Sequence, residues 1–338
     1  MKGVEMLVRI DFEAHYYTQD FLDSIADRRE IPIYETATQT MYHGGEGIVG
    51  IKPILPKLLD LTDQRIRDMD AAGITTAILS ASLGVEQLPE DEGCLAATRI
   101  NDALGTAIRR RPDRLKGYAV LNVKNIDRAV AELERCRNEL GFVGWNAFSN
   151  FGERNLDDPE MFPLFAKAVE LGMFVYVHPT APNNERFSGY GPALATSGLG
   201  FAMDVATAVS RLILSGIFDK LPGLKVVIGH SGEAFPFLIQ RLDDADGRTR
   251  WAGRALNEKK PSDYFKTNIW MTTSGNFSLP AFRCAYDAFG IDHIMFGTDY
   301  PMESMEKGID FVDHLPISLA DTEKLYHGNA ARYFGIDA

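Results

Sequence analysis

The chain has 338 residues, 45% of them apolar and 24% charged, with a formal net charge of −12. That length accommodates one large α/β domain or two ordinary ones, with a core of good size. The acidic balance argues against a nucleic-acid binder and an anionic membrane surface, and leaves open a locally positive pocket for a small acid.

In chain order, short apolar runs alternate with segments of helical spacing. Strands are expected in LVRIDF (7–12), TAILS (76–80), KGYAVL (116–121), FVGWNA (142–147), MFVYVH (173–178), KVVIGH (225–230), NIWMTT (268–273) and IMFGTD (294–299). Helices are expected at 62–72, 92–110, 129–140 and 159–171, three of them stopped by Gly73, Gly141 and Gly172 and one by RRRPDR. AFPFLIQRL after residue 233 reads as a further helix. Eight β-then-α units predict a distorted (β/α)8 barrel forming one domain over 1–338. No GxGxxG follows an early strand, which removes the simplest dinucleotide reading. Two stretches break the rhythm: an insertion at 28–60, and a Gly-, Pro- and Asn-rich segment at 179–203. Both should emerge at the C-terminal face of the barrel, where they could roof an active site.

Cys94, Cys136 and Cys284 have no close pairing, so no disulfide framework is expected and a reducing compartment fits. MKGVEMLVRIDFEAH lacks the apolar core of a signal peptide, and no charge-free apolar window of membrane length is present. A cytoplasmic protein without membrane or nucleic-acid partners is the expectation.

The chemistry gathers at strand ends. Glu13 and His15 lie two apart, hence on one side of an extended strand. His178, His230 and Asp299 each end an apolar run, and Glu233 follows His230 by three. A lone histidine in such a place is more often structural. Two ionisable groups on one face of a first strand would be costly without partners, however. A barrel brings the ends of distant strands to one point, where carboxylates and imidazoles suit a divalent ion such as Zn²⁺ or Mn²⁺. His43, in the insertion, is a candidate substrate contact; His293, His314 and His327 read as surface or packing residues.

With ExH at 13–15, RPDR at 111–114, ELGFVG at 139–144, YVHP at 176–179, GHSGE at 229–233, RLD at 241–243, TTSGNF at 272–277, FGTDYP at 296–301 and GNAARYFGI at 328–336, the chain resembles the amidohydrolase superfamily. Within it, the resemblance is to the metal-dependent, non-oxidative decarboxylases of hydroxylated aromatic acids, of the γ-resorcylate, 2,3-dihydroxybenzoate and 5-carboxyvanillate type. The resemblance implies Glu13, His15, His178 and Asp299 as ligands of one divalent metal, Zn²⁺ or Mn²⁺. It implies Asp299, His230 and Glu233 as the catalytic group, with Asp299 protonating the ring carbon and His230 meeting the phenolic oxygen. It also implies a small aromatic acid as substrate and a homodimer or homotetramer. Arg241, Asn276, Phe277, Phe187 and His43 are candidate substrate contacts, and Phe12, Tyr16 and Phe148 could flank the ring. Glu13, where hydrolytic relatives carry histidine, and TTSGNF favour decarboxylation, and the lack of a lysine in FVGWNAF favours a single metal. The competing reading is a metal-dependent lactone or amide hydrolase in which His230 and Asp299 activate water.

Overall fold

The computed structural model describes residues 7–44, 46–182 and 184–337. Eight parallel strands follow one another in chain order: β1 Ile10–Tyr16, β2 Thr76–Ala81, β3 Leu115–Val120, β4 Gly144–Phe148, β5 Phe174–His178, β6 Val226–Ile228, β7 Ile269–Thr272 and β8 Ile294–Met295. Backbone bonds from Phe12 to Phe296 (3.0 Å) and from His15 to Tyr300 (2.6 Å) join β1 to the segment after β8 and close the barrel. The strand after residue 294 is shorter than expected. Gly297 and Thr298 give their N–H groups to the side chains of Thr273 and Asp11 rather than to a ladder.

A principal helix follows each strand: α1 Asp63–Ala72, α2 Glu90–Arg110, α3 Ile126–Asn138, α4 Phe162–Glu170, α5 Gly200–Leu214, α6 Phe235–Trp251, α7 Leu279–Phe289 and α8 Met305–Asp313. Gly73 ends α1 in the left-handed conformation, which a Cβ would disfavour. The helical stretch Pro192–Leu214 is apolar and long enough to cross a membrane by length and composition. Its α5 portion buries Val205, Ala208, Val209, Leu212 and Ile213 in the barrel's outer core.

Two cores result. One lies between strands and helices. The other fills the barrel interior with Ile10, Phe12, Tyr118, Phe174, Tyr176 and Trp270, and Tyr333 and Phe334 of the C-terminal segment pack against it. The Phe334 ring centroid stands 5.5 Å from that of Phe12 and 4.7 Å from that of Phe174. The insertion at 28–60 contains a small antiparallel sheet of Ile33–Glu35, Thr40–Tyr42 and Ile48–Gly50.

Candidate metal centre and active-site cavity

Strand alternation alone would not put both Phe12 and Glu13 inside the barrel. The register of β1 against β2 shifts between Asp11 and Ala14, a bulge that sets three residue steps against two. Asp11 accepts the Glu13 N–H (3.1 Å), so the irregularity leaves that donor satisfied. Glu13 and His15 thereby join His178 of β5 at the mouth of the barrel, and the three can offer ligand atoms within 4.8 Å of one another. Asp299 completes the group, with Oδ1 3.0 Å from His15 Nε2. Glu13 Oε1 lies 3.5 Å from His15 Nε2 and 3.8 Å from His178 Nε2.

The surroundings fix which atoms face inward. Tyr176 and Ser274 both donate to Glu13 Oε2. Ser80 Oγ meets His15 Nδ1 at 2.9 Å, and His178 Nδ1 donates to the Pro179 carbonyl at 2.8 Å. Glu13 Oε1 and His15 Nε2 are buried without a hydrogen-bond partner. Unpaired polar atoms at such depth are costly, and a divalent cation fits this donor set.

Charge placement follows from the same packing. Burial would raise the Glu13 carboxyl, but His15 beside it and the other nearby histidines win and hold it well below the usual carboxylate range. Burial pulls His15 down, and the nearby carboxylates of Asp299 and Glu13 outweigh it, bringing its pKa to about 9. His178, desolvated and facing His15, falls to about 3. Burial raises Asp299 against the pull of His15 beside it. His230 Nδ1 stands 2.5 Å from Glu233 Oε1, and Glu233 overcomes burial to lift the imidazole to about 10.

The backbone here is unusual. His230, Ser231, Glu233 and Asp299 all have positive φ, between 55° and 64°, a region few non-glycine residues adopt. Gly275, also left-handed, passes between the two functional groups. A Cβ there would come 2.7 Å from His230 Cδ2 and 2.9 Å from Asp299 Oδ2.

A cavity of about 750 Å³ opens above these residues. His15, His178, His230, Glu233 and Asp299 contribute to its lining, and so do Asn276 and His43. Asn276 also lies 3.4 Å from the His230 carbonyl. The insertion adds residues 48–51, and 192 and 196–198 come from the second irregular stretch, so both expected roof segments reach the cavity.

Several expected contacts fall elsewhere. Phe277 packs on Phe311 (5.7 Å between centroids) beside Gly308. Phe187 sits on a short turn, Glu185–Phe187, outside the lining. Arg241 is exposed on α6. Phe12 belongs to the core beneath the site. Tyr16 faces the helix layer, its hydroxyl 3.5 Å from the Ile100 carbonyl, and Phe148 packs on Phe151 and His178 without lining the cavity. An aromatic beside a strand end has two sides to choose between, and here packing wins. His293 is a packing residue, stacked on Trp270 and bonded to the Ile269 carbonyl, and His314 is exposed.

Sequence reasoning missed Tyr176, Ser274, Ser80 and the cavity residue Tyr17. Tyr176 had a signal, since it precedes His178 by two on the same side of β5. Ser80 had none.

A family model described as amidohydrolase matches residues 10–336. γ-Resorcylate decarboxylase of Rhizobium radiobacter is 35% identical over 296 residues, covering 85% of this chain and 90% of that protein. The structure of 5-carboxyvanillate decarboxylase from Sphingomonas paucimobilis matches with a TM-score of 0.87 at 29% identity, covering 98% of this chain and 100% of the other. Dihydroxybenzoic acid decarboxylase from Polaromonas sp. JS666, solved with bound manganese and the inhibitor 2-nitroresorcinol, matches with a TM-score of 0.85 at 30% identity, covering 98% and 97%. A model match spanning nearly the whole barrel, with relatives alike in both sequence and fold, places the chain in the amidohydrolase family.

Proposed function

We infer that this chain is a metal-dependent carboxy-lyase, converting an ortho-hydroxylated, dihydroxybenzoate-like acid without oxidation to the phenol and CO₂. The observation that carries this reading is the pair of bare buried atoms, Glu13 Oε1 and His15 Nε2, in a cavity that also holds the His230–Glu233 pair. Glu13, His15, His178 and Asp299 would hold the divalent ion, which when bound offers positive charge to the carboxylate and its neighbouring phenolic oxygen. We propose Mn²⁺, which suits a set containing two carboxylates and which the Polaromonas relative contains.

The chain's own residues then do the following. Asp299 delivers a proton to the ring carbon bearing the carboxylate, and the ring loses its aromaticity. The bonding pair to the carboxylate returns to the ring as CO₂ leaves, and solvent returns a proton to Asp299. His230 donates to the phenolic oxygen from Nε2 while Glu233 holds Nδ1. The chain is also proposed to work as a homodimer or homotetramer, supported by the exposed Phe237, Trp251 and Leu256 on and beyond α6.

The test is anaerobic turnover of 2,6- and 2,3-dihydroxybenzoate, salicylate and a set of lactones by Mn²⁺- and Zn²⁺-loaded protein. The expected result is a phenol with one CO₂ per turnover, fastest with Mn²⁺. Lactone opening with every aromatic acid untouched would overturn the reading and give His230 and Asp299 the task of activating water.

A further inference from the structure

The cavity's chemistry is uneven. Its ionisable groups gather at the strand ends, apart from His43 in the insertion and Glu303 after β8. The wall that the insertion contributes is Ile48, Val49, Gly50 and Ile51, and Leu83, Phe201 and Met302 are also in the lining. Lys and Arg are absent from the lining among the described residues. At about 750 Å³ the space falls within the range of roughly 300–1,000 Å³ that holds drug-sized ligands, well beyond what one bare benzoate ring fills.

One polar group interrupts the insertion wall. His43 is 4% exposed, and its Nδ1 has no hydrogen-bond partner. Burial pushes its pKa down to about 4, so it meets a ligand as a neutral imidazole. A neutral ring nitrogen can pair with a hydroxyl or ether oxygen, and cannot balance a carboxylate.

We propose that the substrate is an aromatic monoacid whose edge remote from the reacting carboxylate carries an apolar substituent, an alkyl chain or fused ring, seated on the half-buried Ile48 and Val49, with His43 pairing to a neutral oxygen beside it. This rests on the decarboxylase reading and deepens it. The reacting carboxylate and its ortho hydroxyl occupy the metal end. The position opposite then points away from the strand ends, toward the apolar part of the lining. A second carboxylate there would be desolvated against apolar side chains with neither Lys nor Arg in the described lining to balance it, at substantial cost.

The experiment compares 2,6-dihydroxybenzoates bearing hydrogen, methyl, propyl or pentyl at the 4-position with 2,6-dihydroxyterephthalate, which places a carboxylate at that same position. Both kcat/KM and the dissociation constant are measured on the Mn²⁺-loaded enzyme. The expected result is a gain of about threefold per added methylene in each quantity, and a terephthalate disfavoured roughly 100-fold. Ile48→Lys should flatten the alkyl series and bring the terephthalate up at unchanged metal content. A flat or falling alkyl series, or a terephthalate handled as well as its methyl counterpart, overturns the proposal. If no acid releases CO₂, the reaction reading fails separately, and the binding series still decides the shape of the wall.

Discussion

Tyr176 and Ser274 donate to the same oxygen of Glu13, leaving the other oxygen to face His15 and His178. The Tyr176→Phe variant keeps the ring in the interior core and removes only the hydroxyl. Divalent-ion affinity should then fall roughly 10- to 100-fold, read by competition with a chromophoric chelator. Unchanged affinity would mean that Ser274 alone orients the carboxylate. At this scale the proposed ligands were legible as candidates because period-two alternation puts Glu13 with His15 and because His178 and Asp299 close apolar runs. The bulge that turns Glu13 inward was not legible, since it depends on a register shift between two strands distant in sequence. Arg241, Phe187 and Phe277 were misplaced because nothing local says which way a side chain beyond a strand end will turn.

Among the elements, all eight strands and five helices could be read from apolar periodicity and Gly or Pro stops. The helices α5, α7 and α8 were not read, α5 because it begins at Gly200 inside a stretch whose Gly and Pro content reads as loop to residue 203. The connections over the site are tied by carboxylates. Glu46 of the insertion accepts the N–H groups of Gly189 (2.7 Å) and Gly191 (2.6 Å). Glu86, after β2, accepts from Gly84 N–H at 2.7 Å and lies 3.5 Å from Thr180 Oγ1, beyond β5. Burial raises Glu86 from 4.5 to about 7, against the pull of those bonds. The folded chain therefore holds this proton more tightly than the unfolded one. Its contribution to stability is complete below pH 4.5 and is lost as the pH rises through 7. Glu86→Gln mimics the protonated form, so its melting temperature relative to the parent should climb between pH 5 and pH 8.5, by the equivalent of at most on the order of 3 kcal/mol. Parallel melting curves across that interval would refute the assignment.

On the scale of the whole barrel, the four proposed ligands come from β1, from β5 and from the segment after β8 that closes the ring. An ion held there crosslinks three elements far apart in sequence, and it binds only the folded chain. At a hundred times its dissociation constant, Mn²⁺ should stabilise by about 2.7 kcal/mol, which for a chain this long raises Tm by roughly 4 °C. Chelation followed by refilling, monitored by calorimetry, should lower and then restore the transition; a transition indifferent to the metal would argue against this donor set.

The left-handed backbone at His230, Ser231, Glu233 and Asp299 also has a consequence for how such a protein can change over generations. β-Branched residues are penalised at these positions whatever their chemistry, and Gly275 cannot gain a side chain without displacing His230 or Asp299. Heritable variation is thus blocked on the catalytic side by shape as well as by reactivity. The strip from Ile48 to Gly50, half-buried or exposed, carries no such restriction. New substrates can be acquired there by ordinary drift, one side chain at a time, while the reaction stays the same.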